Sequence, residues 1–186
     1  MNTNDRRVRK TKRALFDALA ELMSQKDLRN ITIKELTDTA DIHRATFYSH
    51  YQDIYELYEE MENNVISQFN SILSNDPTHS YIKVYRSLID YISDNKPLFK
   101  MLFGKNTNSS FKNRVSKLLE DDYLKIWLFE DGKSAITKEM EYFTAYHIQG
   151  CISLIALWVI NGFSTSKEDI IHLLKQVNDN TERIMP

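Results

Sequence analysis

Residues 31–57, ITIKELTDTADIHRATFYSHYQDIYEL, constrain the fold more than any other part of the chain. Thr32 and Glu35 form a T-x-x-E capping box. In such a box the threonine hydroxyl and the glutamate carboxylate each accept from an amide that a helix start leaves without a partner. Ile31 before the cap and Leu36 beyond it suit a hydrophobic staple. Ile33, Leu36 and Ala40 recur at helical spacing, so a short helix buries one face here. Asp41 falls where the chain must turn sharply, and aspartate tolerates the left-handed conformation better than most residues. In the next segment, His43–Tyr51, turning Phe47 and Tyr51 inward leaves Arg44, Ala45, Thr46, Tyr48 and His50 outward. Those side chains suit base edges and phosphates. Two short helices, a tight turn and such an outward face follow the logic of a helix-turn-helix, whose second helix enters the major groove.

Val8–Leu57 resembles the DNA-binding domain of TetR-family transcriptional regulators. The residues that carry the resemblance are a basic amphipathic first helix, the Thr32-capped second helix, and the aromatic-Tyr-x-His-aromatic run Phe47-Tyr48-Ser49-His50-Tyr51. Three positions depart from the family pattern. Asp41 stands where glycine is usual, His43 where a serine cap is usual, and Ile54 where a lysine usually reaches phosphate. Further on, Lys96–Phe103 and Trp158–Phe163 are similar to the C-terminal region of a subgroup that includes regulators of dihydroxyacetone kinase operons. The resemblance implies that Thr32 and Lys34 meet the DNA backbone or groove edge and that Arg44 pairs with a base. It also implies that Ala45 and Thr46 allow close approach and touch thymine methyls, and that Tyr48 and His50 bond phosphates.

Charge distribution agrees with a DNA-binding head. The net charge of −2 says little, but residues 1–50 hold ten Lys/Arg and seven Asp/Glu, leaving 14 and 19 for the remainder. Six of the basic residues (Arg6, Arg7, Arg9, Lys10, Lys12, Arg13) fall within the first thirteen positions. A basic head on an acidic body is the expected footprint of a nucleic-acid partner. Only 4 Gly and 3 Pro favour a helical chain over a turn-rich β fold. The single Cys151 excludes an intrachain disulfide and fits a reducing cytosol. The polar N-terminus carries no signal-peptide pattern, and the apolar run Cys151–Ile160 is too short to span a bilayer. A cytoplasmic protein without a membrane partner is expected.

Hydrophobic periodicity divides the chain into about nine helices. The first covers about Arg6–Met23, with Val8, Leu15, Leu19, Leu22 and Met23 inward and Lys12 and Arg13 free to face DNA. Asp53 caps a fourth helix reaching about Leu73. The stretch Asn75–Thr78 breaks the chain, and helices follow over Ser80–Ser93, from Asn95 through Phe103, and over Ser110–Phe129. A loop at Gly104–Ser109 and a turn at Asp131–Lys133 separate them. The longest helix should run from Ser134 to Ile160, and a last one, capped by Thr165 or Ser166, should end near Asn178. The expected fold is therefore all-α. Residues 1–52 form a three-helix helix-turn-helix domain, and residues 53–186 form a helical ligand-binding and dimerisation domain.

No phosphate loop, nucleophile elbow or metal-ligand spacing occurs, so neither enzymatic activity nor a cofactor or metal is expected. His43, His50, His79, His147 and His172 are scattered. Phe99, Phe103, Phe111, Tyr123, Trp127, Tyr142, Phe143, Tyr146 and His147 come from four helical segments. They are candidates to line a cavity for a small-molecule effector, with ordinary core packing as the alternative. The last two helices, apolar around much of their girth, are candidates for a homodimer interface. The chain reads as a regulator, most simply a repressor, binding a double-stranded, pseudo-palindromic operator. The alternative is a helical adaptor or ligand-binding protein without operator specificity.

Overall fold

The computed structural model describes residues 3–75, 81–104, 109–130 and 135–184. Several expected features lie outside them: Asp76–Thr78, His79, the helix starts at Ser80 and Ser134, most of the 104–109 loop, and the Asp131–Lys133 turn. Among the described residues there are nine α-helices and no strand. They are α1 (Thr3–Met23), α2 (Ile33–Thr39), α3 (Arg44–Tyr48), α4 (Ile54–Ser74), α5 (Tyr81–Asp94), α6 (Lys96–Phe103), α7 (Ser109–Glu130), α8 (Lys138–Ile160) and α9 (Lys167–Ile184). Packing divides the chain into two compact units, residues 1–65 with 96–108, and residues 66–95 with 109–186. Helix α4 contributes to both.

The core of the first unit gathers the apolar stripes of the long α1 and α4 with those of α2 and α3, which are too short to stand alone. It holds Leu15, Ala18, Leu19 and Met23 of α1, Leu36 of α2, Phe47 of α3, and Ile54, Leu57, Met61 and Val65 of α4. Helix α6 packs against α1 and buries Phe99, Met101, Leu102 and Phe103. Its Phe99 and Phe103 rings stack with centroids 6.3 Å apart.

In the second unit α5 packs on α9, α7 on α8, and α8 on α9. Arg86 donates from Nη1 and Nη2 to the two carboxylate oxygens of Glu168, at 2.6 and 2.9 Å, across α5 and α9. By length and composition α8 could cross a membrane. Here it buries nine residues, from Met140 to Val159.

Helix α8 begins at Lys138, not at Ser134, because the Thr137 hydroxyl accepts from the Met140 amide at 3.2 Å. Glu139 and Glu141 in its first turn favour the same start through the helix dipole. It ends at Ile160 with Asn161 as its C-cap, and both Gly162 (φ 72°) and Phe163 (φ 62°) take the left-handed conformation. Phe163 is held there by its amide bond to Trp158 O at 3.0 Å and by edge packing of its ring on Trp158 at 4.8 Å. Ser166 caps α9 through the Asp169 amide. This helix continues six residues beyond the expected end at Asn178, to Ile184. Asn178 and Thr181 are buried and hydrogen-bonded to side chains of α5 and α8.

Candidate nucleic-acid interface and ligand cavity

The capping box of α2 forms as the sequence dictates. Thr32 Oγ1 accepts from the Glu35 amide at 3.2 Å, and Glu35 Oε2 accepts from the Thr32 amide at 3.0 Å. Glu35 is also bonded to Lys26 Nζ at 2.6 Å. That ammonium, and next the Thr32 amide, hold the Glu35 carboxyl at about 2, well below its ordinary 4.5. Ile31 and Leu36 are both buried, as a staple requires. Replacing Thr32 by alanine should cost about 1 kcal/mol of folding stability, read from the urea midpoint at neutral pH.

Asp41 adopts φ 53°, making the left-handed turn between α2 and α3 without glycine. Helix α3 is shorter than the His43–Tyr51 segment suggests. His43 occupies the cap position with no side-chain cap bond, and the helix ends at Tyr48. The Tyr51 amide still bonds Phe47 O at 3.0 Å, so the turn carries on far enough to bury Tyr51 beside Phe47. Above these two rings lies the outward face of α2 and α3. Thr32, Lys34, Arg44, Ala45 and Tyr48 are exposed, and Thr46 and His50 are half-exposed. Asp53 Oδ1 caps α4 by accepting from the Tyr55 and Glu56 amides at 2.8 and 2.9 Å.

One cation expected to face DNA does not. Lys12 Nζ donates to both carboxylate oxygens of Glu60 at 2.8 Å and lies 5.4 Å from the centroid of the Tyr51 ring. Its charge is neutralised in holding α4 against α1. Arg6, Arg7, Arg9, Lys10 and Arg13 remain exposed along the N-terminal half of α1.

The aromatic residues expected to share a cavity do not form one group. Phe99 and Phe103 belong to the core of the first unit, because α6 turns its apolar face onto α1. Tyr142 and Tyr146 are 74% and 67% exposed, on the side of α8 away from its buried stripe. Phe111 is fully buried and Phe143 half-buried, neither among the cavity residues. Tyr123 does line a cavity in the second unit, with Trp127 edge-on behind it at 6.5 Å. His147 is buried 4.9 Å from the Tyr123 ring, between the cavity wall and α9.

This cavity, of about 60 Å³, lies among the end of α4, α5, α7 and α8. Leu73, Val84, Tyr85, Leu88, Tyr123 and Cys151 are among its walls. Tyr85 OH lies 3.3 Å from His147 Nε2 and 3.4 Å from Asn178 Oδ1, and His147 Nδ1 lies 3.2 Å from Thr181 Oγ1. Burial keeps this polar group uncharged. It lowers the His147 imidazole to about 4, raises the Cys151 thiol to about 11, and pushes the Tyr85 phenol up as well. The sequence gives no signal for the grouping, since Tyr85 is 62 residues from His147 and 93 from Asn178.

An all-helical chain with an exposed recognition helix, a row of surface cations before it and a second helical unit defines a DNA-binding transcriptional regulator. A family profile described as bacterial regulatory proteins of the tetR family matches residues 11–61. A second profile, for the C-terminal region of such regulators, matches residues 79–180. The chain belongs to the TetR family, a family of transcriptional regulators and not of enzymes.

Similar solved structures include the dihydroxyacetone kinase operon activator DhaS (TM-score 0.65, 19% identity, 94% of this chain and 96% of that one). A TetR regulator from Streptococcus agalactiae 2603V matches with TM-score 0.64 and 22% identity over 94% of this chain and 97% of that one. NalD, described as the secondary repressor of the MexAB-OprM multidrug efflux pump in Pseudomonas aeruginosa, matches with TM-score 0.62 and 18% identity over 94% and 96%. At such identities the likeness is one of fold. The uncharacterised HTH-type transcriptional regulator YxbF of Bacillus subtilis (strain 168) is 43% identical over 58 residues. That match covers 31% of this chain and 15% of the length of that curated relative.

Proposed function

We propose that the protein is an effector-responsive repressor that binds a pseudo-palindromic operator as a homodimer in the cytoplasm. The carrying observation is the outward face of α2 and α3, exposed and polar above the buried Leu36, Phe47 and Tyr51. Arg44 pairs with a guanine, Ala45 and Thr46 approach thymine methyls, and Thr32, Lys34, Tyr48 and His50 bond the backbone. Residues 1–52 serve recognition, and residues 53–186 serve effector binding and pairing. Replacing Arg44 by alanine should weaken operator binding by about 1–3 kcal/mol and relax base preference at one position per half-site. Fluorescence anisotropy against operator and random duplexes checks this. An equal loss on both would reduce Arg44 to a phosphate contact.

A single helix-turn-helix reads too few base pairs to be selective, so two heads on half-sites about one helical turn or more apart are required. Support for pairing comes from α8. Tyr142, Tyr146, Gly150, Ser153, Leu157 and Ile160 are exposed at spacings of three and four residues, so they share one face. Leu173 adds a further exposed apolar side chain on α9. Effector control is supported by the cavity, whose wall includes Leu73 in the last turn of α4. The same helix begins in the recognition unit, so a ligand that displaces its end changes the spacing of the two heads. A hundredfold preference for the displaced form shifts the equilibrium by about 2.7 kcal/mol, enough to release an operator. A reporter driven by the operator, repressed by the protein and released by a metabolite extract, tests the whole reading. Constitutive expression with the protein present would overturn repression.

A further inference from the structure

The chemistry of the effector can be read from the lining of the second unit's cavity and the polar group behind its wall, on the reading that this cavity is the effector site. Thr181 Oγ1 donates its only hydrogen to Val177 O at 2.8 Å. Its contact with His147 Nδ1 at 3.2 Å must therefore be one in which the threonine accepts and the imidazole donates. That leaves His147 Nε2 as a lone-pair acceptor facing Tyr85 OH and, 3.8 Å away, Cys151 Sγ.

The Tyr85 phenol has one hydrogen and two oxygen or nitrogen acceptors, at 3.3 and 3.4 Å. Both distances lie at the long edge for a hydroxyl donor, whose bonds favour about 2.7–2.8 Å. The hydrogen is weakly held, at a side chain that forms part of the cavity wall. If a ligand takes it, the Cys151 thiol remains to serve His147 Nε2, and what is given up is the long 3.4 Å contact with Asn178 Oδ1. Among the described lining residues there is no lysine or arginine, and Asp122 is the one carboxylate. An anion would meet no counter-charge there, and a cation would shed its hydration for a single half-exposed carboxylate.

The geometry points to an uncharged, mainly apolar effector carrying one hydrogen-bond-accepting oxygen, which takes the Tyr85 phenolic hydrogen.

Calorimetric titration of the full chain with four matched probes tests this: 2-heptanone, 1-heptene, heptanoate and heptylammonium. The ketone should bind about tenfold more tightly than the alkene, the worth of one good hydrogen bond. Tyr85→Phe should erase that advantage and leave the alkene unchanged. If Tyr85→Phe does not fold, the ketone-to-alkene ratio in the native protein decides. Heptanoate or heptylammonium binding as tightly as the ketone would overturn the proposal, and so would a ketone indifferent to Tyr85→Phe. Binding by none of the four would overturn it together with the effector reading. Tyr85-dependent ketone binding without any change in operator affinity would support the ligand chemistry and remove only the effector role.

Discussion

Replacing Leu157 and Ile160 together by glutamate should yield a folded monomer with operator affinity reduced about a hundredfold or more, because bivalent attachment is lost. The two side chains are 59% and 58% exposed, so within one chain the charges cost little. Across a two-fold axis they would bury four carboxylates against one another, which no isologous apolar interface tolerates. The face they belong to runs from Tyr142 to Ile160, roughly 27 Å at 1.5 Å per residue, long enough for a helix-on-helix interface. Gly150 lies within it, and a Cβ there would meet nothing within 4 Å. Gly150→Arg should therefore also dissociate the dimer without disturbing the chain's own packing. Sedimentation velocity at micromolar concentration, with circular dichroism to establish folding, checks both variants. A wild-type protein that sediments as a monomer, or a double variant that remains a dimer, would sink the homodimer proposal.

Lowering the pH from 7 to 4.5 should cost the wild-type protein about 2–3 kcal/mol of folding stability through His147 alone. Burial holds this imidazole at about 4, against 6.5 in its ordinary state. Between those values the unfolded chain takes up a proton that the folded chain refuses. Stability therefore rises with pH across the window and is lost as pH falls through it. Tyr85 and Cys151, which face His147 from α5 and α8, have their pKa values pushed upward and stay neutral throughout, so neither offsets the slope. Glu35 and Glu168 are shifted downward, and their contribution is lost below the ordinary carboxylate range, outside this interval. His147→Gln should flatten the dependence between pH 6.5 and 4.5 while keeping hydrogen bonds to the network. Urea unfolding at fixed protein concentration, at pH 7 and pH 4.5, measures it. An unchanged slope in the variant would assign the acid sensitivity elsewhere.

Local signals carried the recognition unit. The Thr32–Glu35 box, the Asp41 turn, the inward Phe47 and Tyr51 and the Asp53 cap are all interactions within a few residues, so their residue types and spacing suffice to read them. Helical periodicity likewise marked most of the remaining helices, because each buries one face whatever lies against it. It could not say what lies against that face. Phe99 and Phe103 on α6 and Tyr123 on α7 look alike in sequence, yet the first two complete the core of the recognition unit and the third lines a cavity in the other. Tyr142 and Tyr146 look like core residues and stand in solvent. Lys12 looks like a phosphate contact and is held by Glu60, 48 residues away. The last turns of α9 contradict their own propensity, because buried side-chain hydrogen bonds to α5 and α8 outweigh the preference of Asn178 and Thr181 for loops. Short-range hydrogen bonding and the direction of each apolar face are properties of the sequence. The partner of each face, and the meeting of Tyr85, His147, Asn178 and Thr181, depend on contacts between residues far apart in the chain, which only the folded structure brings together.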